Sequence, residues 1–216
     1  MKQLGKKFFE ALIAINRVRA TQIFDSYLQE HTLVRAMDDI IVPALDGIGQ
    51  GWQEGRYSLA QIYLSGRITE ELVRSAGNAV TNRGSVTNPE IAVAVLNDQH
   101  QLGKRLVMLA LHSAGIYPRD YDTVGEKSII DAVIRDNIKI LLVSVLMYNS
   151  ALLVKPLVGE LQVRSPHTKV IVGGAPFRLD PGLYKKVGAH GMGKSAADAI
   201  YLVKEIIGHL EKEENV

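Results

Sequence analysis

The hydrophobic residues of this chain recur with one period in its first 82 positions and with another after position 90. In the first part, apolar residues return every three or four positions, which is the spacing of amphipathic helices. Ser58-Leu59-Ala60-Gln61 has the form of a capping box that opens a helix, and Pro43 predicts a kink in the preceding one. The predicted helices cover residues 4–16, 20–28, 32 to the glycines at 49–55, and 58–80. This pattern predicts a four-helix bundle over residues 1–83.

The segment Arg83-Gly84-Ser85-Val86-Thr87-Asn88-Pro89 is polar and breaks the periodicity, so we interpret residues 84–89 as a linker. After it, short apolar runs alternate with helical patterns, which predicts an α/β domain over residues 90–216 with a five-stranded, doubly wound parallel sheet. We expect the flavodoxin-like strand order 2-1-3-4-5. The predicted strands cover residues 91–96, 117–121, 140–145, 169–172 and 189–192, and the helices that follow them cover residues 102–113, 127–135, 150–163, 181–186 and 196–210.

Composition narrows the classes of function. The 216 residues include no cysteine, which excludes disulfides, thiolate metal ligands and cysteine nucleophiles. The formal net charge is only +2, with basic and acidic residues mixed, so no nucleic-acid or membrane-surface patch is predicted. A signal peptide is the alternative for residues 1–19, but Glu10, Asn16 and Arg17 interrupt its apolar run, and no stretch reaches the length of a membrane span. We therefore expect a cytoplasmic protein.

Candidate chemistry begins where the first predicted strand ends. Asp98 and His100 lie on the loop after residues 91–96, at the carboxyl end of a strand, where open α/β sheets bind ligands. An acid two residues before an imidazole can hold one ring nitrogen and leave the other free for a metal. The alternative for a lone histidine is an ordinary loop residue. Since the predicted switch point lies between strands one and three, the loops after Leu96 and Val145 should line the same crevice.

Two further loops contribute candidates. Ser144 and Ser150 flank the loop after the third strand, although Ser150 could equally be a helix N-cap and Ser144 a small residue at a strand end. Gly173 and Gly174 follow the fourth strand, where paired glycines either let a ligand lie against the backbone or form a simple turn. The conjunction of these residues at one crevice favours a binding site.

Residues 188–195, Gly-Ala-His-Gly-Met-Gly-Lys-Ser, also satisfy the phosphate-binding pattern G-x-x-x-x-G-K-[ST]. That pattern requires a strong strand before it, and residues 183–187 make a poor one, while no later strand supplies an aspartate for magnesium. We interpret the segment as a glycine-rich turn that caps the last helix, with His190 as a neutral loop residue.

Asp-x-His-x-x-Gly at 98–103, Ser-x-Leu at 144–146 and Gly-Gly at 173–174 follow one another at three predicted strand ends. This series resembles the signature of cobalamin-binding domains. Residues 43–55, which include Trp52, resemble the helical cap that precedes this domain in corrinoid proteins and in methionine synthase. The resemblance covers nearly the whole chain, and it implies a cap domain over the helical bundle, a flavodoxin-like cobalamin-binding domain after it, and cobalamin as the cofactor.

The resemblance implies a role for each residue of the first loop. His100 would be the lower axial ligand of cobalt in place of the dimethylbenzimidazole base, the state called base-off, His-on. Asp98 would accept a hydrogen bond from the other ring nitrogen, and Ser150 would extend this relay. Trp52, for which a core aromatic is the alternative, would lie over the upper face of the corrin and shield a cobalt-bound methyl group.

The other loops would hold the nucleotide tail of the cofactor. Ser144 would contact the displaced tail, Gly103 would make room for it, and Gly173 and Gly174 would floor its pocket. Leu146, the third residue of Ser-x-Leu, completes the implied cofactor-binding set. The chain departs from the family at residues 188–192, where relatives usually carry an acid.

The resemblance implies a carrier subunit rather than a complete enzyme. Cobalamin would alternate between methylcobalamin and cob(I)alamin as a substrate-specific methyltransferase loads the methyl group and an acceptor methyltransferase removes it, with a reductive activator as a further partner. The alternatives are a cobalamin-dependent sensor or regulator without a DNA-binding module, and the small subunit of an adenosylcobalamin mutase, which generally lacks the helical cap.

Overall fold

The structure is a computed structural model, and the residues that it describes are 3–80, 88–122 and 125–214. The chain divides into two units, Met1–Arg83 and Gly84–Val216. Residues 84–87 of the predicted linker lie outside the described residues. Asn88 already belongs to the second unit, because its backbone and its side chain both hydrogen-bond the backbone of Tyr117.

The described part of the first unit contains the helices α1 (Gln3–Ile13), α2 (Arg17–Leu28), α3 (Leu33–Ala36), α4 (Val42–Gln53) and α5 (Leu59–Val80). A π-helical turn, Met37–Ile41, joins α3 to α4, so the third predicted helix is present but interrupted. In this turn the N–H of Val42 donates to the carbonyl of Met37, five residues back. Pro43 has no N–H and its ring crowds the preceding turn, and a wider turn accommodates both effects.

The predicted capping box is present at the start of α5. The backbone N of Ser58 donates to Gln61 Oε1 at 3.0 Å, and the backbone N of Gln61 donates to Ser58 Oγ at 3.3 Å. Phe8 and Phe24 lie at the centre of the bundle core, with ring centroids 6.4 Å apart and both side chains almost fully buried. The apolar faces of the helices therefore hold this unit together.

The sheet of the second unit consists of the strands β1 (Ile91–Val95), β2 (Arg119–Asp120), β3 (Ile140–Ser144), β4 (Lys169–Gly173) and β5 (Gly191–Gly193). These five strands are parallel and lie in the order β2-β1-β3-β4-β5, which confirms the predicted order. Val95 pairs in register with Ser144, Ser144 with Gly173, and Gly173 with Gly193. Because register partners in a parallel sheet share a face, small residues follow one another along its carboxyl edge.

The described helices of the second unit are α6 (Leu102–Ser113), α7 (Glu126–Arg135), α8 (Tyr148–Leu152), α9 (Val154–Arg164), α10 (Ala175–Leu179), α11 (Leu183–Lys186) and α12 (Ala196–Glu214). Helix α8 begins two residues before the predicted start, and α10 was not predicted, because five residues are too few to show a hydrophobic period. Apolar side chains bury both faces of the sheet. None of the described helices combines the length and the hydropathy that spanning a bilayer requires.

Candidate functional site

Asp98 and His100 lie on the loop directly after β1. Asn97 turns the chain there with a φ of +46°, in the left-handed region that asparagine tolerates. The Asp98 side chain is 2% exposed, and its Oδ1 accepts hydrogen bonds from the backbone N of His100 at 3.0 Å and from Nδ1 of its ring at 2.5 Å. The His100 side chain is 57% exposed. With Nδ1 bound to Asp98, Nε2 is the nitrogen left to face a metal.

The second carboxylate oxygen of Asp98 reaches the loop after β3. Oδ2 accepts from the backbone N of Leu146 at 3.0 Å and from that of Met147 at 3.2 Å. One buried carboxylate thus joins the loops of two strands that flank the switch point. The sequence gives no signal for these two donors, because every residue type except proline supplies a backbone N–H.

The surroundings of Asp98 set its charge. Burial by itself raises the pKa of Asp98, but hydrogen bonds from the His100 ring and from the backbone of His100, Leu146 and Met147 outweigh it and bring the pKa below its usual value. The carboxylate is therefore ionised at neutral pH. An ionised acceptor keeps the imidazole proton on Nδ1, which leaves the lone pair of Nε2 free to bind a metal.

Ser150 stabilises the loop after β1 through a hydrogen bond to its backbone. It lies inside α8 and is buried, and its Oγ donates to the carbonyl of Asn97 at 3.0 Å. The N-cap interpretation is wrong because α8 begins at Tyr148. Among the described residues, the donors to the Asp98 carboxylate are His100, Leu146 and Met147. The Ser150 hydroxyl bonds the carbonyl of Asn97 instead, so it does not extend the relay from Asp98 directly.

Gly103 and Ser144 face each other between α6 and the sheet. A Cβ added to Gly103 would lie 2.6 Å from Ser144 Oγ, well inside van der Waals contact. Ser144 and its register partner Gly173 continue the face of the sheet that packs on α6 and α12. Small residues at these three positions therefore let the start of α6 lie close to the carboxyl edge of the sheet.

The paired glycines bring the loops after β3 and β4 together. Gly174 has a φ of +119°, and a Cβ there would lie 1.8 Å from the carbonyl oxygen of Val145, so only glycine fits. The carbonyl of Gly173 accepts from the N–H of Val145 at 3.1 Å. Leu146 follows with its side chain 45% exposed. The sequence-predicted residues of all three loops thus lie along one edge of the sheet.

Comparison with known protein families assigns a family to each of the two units. Family models of the B12 binding domain match residues 90–201 and residues 4–75. The chain belongs to the B12-binding family. The resemblance seen in the strand-end motifs and in the helical segment is therefore confirmed, and both B12-binding domains carry the fold expected of them.

Solved structures share the fold of the whole chain. A monomethylamine corrinoid protein from Methanosarcina barkeri is 20% identical, with a TM-score of 0.78 over 93% of this chain and 96% of the other. A cobalamin-binding protein from Desulfitobacterium hafniense DCB-2 is also 20% identical, with a TM-score of 0.50 over 94% and 98% of the two chains. At these identities the similarity shows the fold alone. A search of the curated proteins found no match.

The strand-end residues of the second B12-binding domain fit a corrinoid. His100 presents a ring nitrogen of the kind that cobalt binds, and Asp98 holds the ring in the required tautomer. The space between Gly103 and Ser144, which we call the slot, is bounded by bare backbone on one side and by a hydroxyl on the other, which suits the polar atoms of a nucleotide tail.

The phosphate-binding pattern at residues 188–195 does not form a P-loop. β5 lies inside the pattern rather than before it. Asp198 Oδ2 accepts from the backbone N of Lys194 at 2.9 Å and of Ser195 at 3.2 Å, and Ser195 Oγ accepts from the backbone N of Asp198 at 3.2 Å. These reciprocal bonds cap α12, as the sequence predicted.

His190, also within this pattern, extends the sheet rather than binding a ligand. Its backbone N donates to the carbonyl of Val170 at 2.8 Å, and its ring Nδ1 accepts from the backbone N of Val170 at 3.0 Å. Accepting this bond requires an unprotonated Nδ1. Burial lowers the pKa of His190, and the charge of Lys169 lowers it further. These contacts support the neutral loop residue that the sequence predicted.

The stability of the protein is expected to fall as the pH drops below the ordinary histidine pKa of 6.5. His190 has a depressed pKa when folded, so the unfolded chain takes up its proton first and gains stability relative to the fold. Urea unfolding between pH 7.5 and 5.5 should show a shallower decline for His190→Asn, whose side-chain oxygen can accept the same bond. His209→Asn, on the exposed surface of α12, is the matched control, and equal slopes for wild type and His190→Asn would contradict the assignment.

The aromatic residues near the turn after α4 divide into two kinds. The ring of Tyr57 packs on Gly51, where an added Cβ would lie 2.0 Å from it, and meets Phe9 edge-on at 6.1 Å. Trp52 is 52% exposed and Tyr63 64% exposed. Trp52 is therefore not a core aromatic of the bundle. Its place over the upper face of a corrin stays a prediction.

Proposed function

We propose that this B12-binding protein carries a methyl group on cobalt between a substrate-specific methyltransferase and a second methyltransferase. The observation that carries the proposal is the Asp98–His100 pair, which presents Nε2 of the imidazole at the carboxyl edge of the sheet. Both domains of the chain belong to the B12-binding family. The chain also shares its fold with a monomethylamine corrinoid protein over nearly the full length of both chains.

His100 would bind the cofactor from its lower face. Bound cobalamin supplies a cobalt centre that accepts a methyl group and gives it up. Asp98 fixes the ring orientation and holds the proton on Nδ1, so that Nε2 approaches the metal as a neutral donor. His100 would hold the cobalt in place of the base of the nucleotide tail, which is the base-off, His-on mode.

The displaced tail would occupy the slot beside Gly103. Ser144 offers a hydroxyl to its polar atoms, while Gly173 and Gly174 allow close approach to the backbone. The backbone N of Leu146 donates to Asp98, and the residue is partly exposed, so its side chain would be free to contact the cofactor.

Methyl transfer through the loaded full chain tests the carrier role. Cobalamin-loaded protein, reduced and mixed with a labelled methyl donor and a corrinoid-dependent methyltransferase, is expected to take up about one label per chain. The label should pass to a thiol or tetrahydrofolate acceptor only after a second methyltransferase is added. Retention of adenosylcobalamin with light-dependent oligomerisation, and no label uptake, would instead identify the sensor.

A further inference from the structure

Lys104 is buried in the first turn of α6, one residue after Gly103. The residue is 3% exposed, and its Nζ donates to Asp120 Oδ1 at 2.5 Å and to the carbonyl of Tyr121 at 3.2 Å. Over the residues whose burial the structure describes, Asp98 and Lys104 are the two charged residues in the buried class. They stand near the two ends of the segment that carries His100.

Stability alone gives no reason for this lysine. Burying an ammonium group costs roughly several kcal/mol of desolvation free energy, which an ion pair does no more than balance. Replacing a buried ion pair with apolar residues of similar volume often leaves the stability unchanged or increases it. A positive charge in the first turn also opposes the helix dipole. A methionine at position 104 would avoid both penalties, so we look for the role of the ion pair in the position of the helix that it holds.

The topology shows what the ion pair holds in place. β1 lies between β2 and β3, and the loop after β1 carries His100. Asp98 ties this loop to the β3 side through the backbone of Leu146 and Met147. Lys104 ties the start of α6 to the β2 side, at the end of that strand. The loop is therefore anchored on both sides.

The anchor on the β2 side is itself held firmly. The backbone N of Tyr121 donates to the carbonyl of Val93 at 2.9 Å, and its phenol donates its one proton to Asp136 at 2.7 Å, with the carbonyl of Ala132 also within reach at 3.1 Å. These bonds secure the end of a strand that has only two residues. Lys104 therefore connects α6 to a fixed point.

We propose that Lys104 is a positioning residue for cobalamin: it sets the place of the α6 start, and with it the aim of His100 and the width of the slot at Gly103. The proposal rests on the proposed function, because the quantities it controls are axial ligation and room for the nucleotide tail. Its sensitivity follows from the close approach of Gly103 to Ser144, since a small shift of α6 changes that gap by a large fraction.

The test compares Lys104→Met with wild type and with Lys155→Met, a change of the same kind on the exposed side of α9. Lys104→Met is expected to keep the urea stability of the cofactor-free protein, to exchange the backbone amides of residues 99–104 faster, and to bind hydroxocobalamin about tenfold more weakly. About tenfold is the lower end of the loss seen when groups that orient a metal ligand are removed, and Lys104 acts on His100 only through the position of α6. A smaller fraction of its bound cofactor should be His-on.

Asp120→Asn provides a second variant, because the Asp120 side chain is 51% exposed and the asparagine oxygen can still accept a hydrogen bond from the buried Lys104. It should show the same changes more weakly, since the carbonyl of Tyr121 remains for Lys104. Unchanged affinity, His-on fraction and amide exchange in both variants would overturn the proposal, as would losses that merely follow a fall in stability. Failure of the wild type to bind cobalamin through His100 would instead remove the proposed function, and the proposal with it.

Discussion

The Asp98→Asn variant is expected to bind cobalamin about 10- to 100-fold more weakly than the wild type and to lose the His-on state. An asparagine can keep its oxygen toward the N–H groups of Leu146 and Met147 only by turning its NH2 toward His100. Nδ1 of the ring must then accept a hydrogen bond, so the ring proton moves to Nε2, the nitrogen that we propose binds cobalt. The opposite orientation places the NH2 against two backbone donors.

Two measurements separate this tautomer effect from a loss of folding. Titration with hydroxocobalamin gives the affinity, and nitrogen NMR of the cofactor-free protein shows which ring nitrogen of His100 carries the proton. Asp131→Asn removes an exposed carboxylate that pairs with Arg164 and is the control, with no expected change. Wild-type affinity in Asp98→Asn, with the proton still on Nδ1, would refute the role of Asp98.

The Gly103→Ala variant is expected to discriminate between corrinoids with and without a nucleotide tail. The new methyl group would lie 2.6 Å from Ser144 Oγ, so the serine must rotate into the slot or α6 must move. Overpacking of this kind costs about 1–3 kcal/mol, which corresponds to an affinity for cobalamin lower by about 5- to 150-fold. Cobinamide, a corrinoid without the nucleotide tail, should bind the variant and the wild type equally.

The stability of Gly103→Ala is expected to stay close to that of the wild type, because the clash falls on the Ser144 hydroxyl, which can rotate away, and because alanine is the better helix former. Gly159→Ala, with open space around the added Cβ on α9, is the matched control and should leave both affinities unchanged. Equal losses for cobalamin and cobinamide would show that the methyl group disturbs the His100 loop instead, and no loss at all would remove the slot from the account.

Much of the second domain could be predicted because its signals are local and repeated. Buried apolar runs such as residues 91–95 and 140–144 mark parallel strands, and a helical pattern follows each of them. The strand order then places the loops carrying Asp98 and Ser144 at the switch point before any coordinates are known. The order of the three strand-end motifs along the chain indicated the resemblance to cobalamin-binding domains.

The sequence could not predict contacts that depend on the backbone or on very short elements. The donors from Leu146 and Met147 to Asp98 are peptide groups, and α10 is a single turn and a half, too short for a periodic pattern. Ser150 is a residue type favoured at N-caps, but α8 begins two residues earlier, at Tyr148, and the Ser150 hydroxyl donates to the carbonyl of Asn97. Lys104 looks like a solvated surface lysine until its burial is known.

Axial ligation by His100 is tested most directly by electron paramagnetic resonance of the Co(II) form of the loaded protein. In protein grown with nitrogen-15 histidine, ligation by His100 predicts nitrogen superhyperfine lines split into doublets, because nitrogen-15 has a nuclear spin of one half. In His100→Ala that splitting should disappear. Triplets from the nitrogen-14 of the dimethylbenzimidazole base in the labelled wild type, unchanged in His100→Ala, would contradict the account.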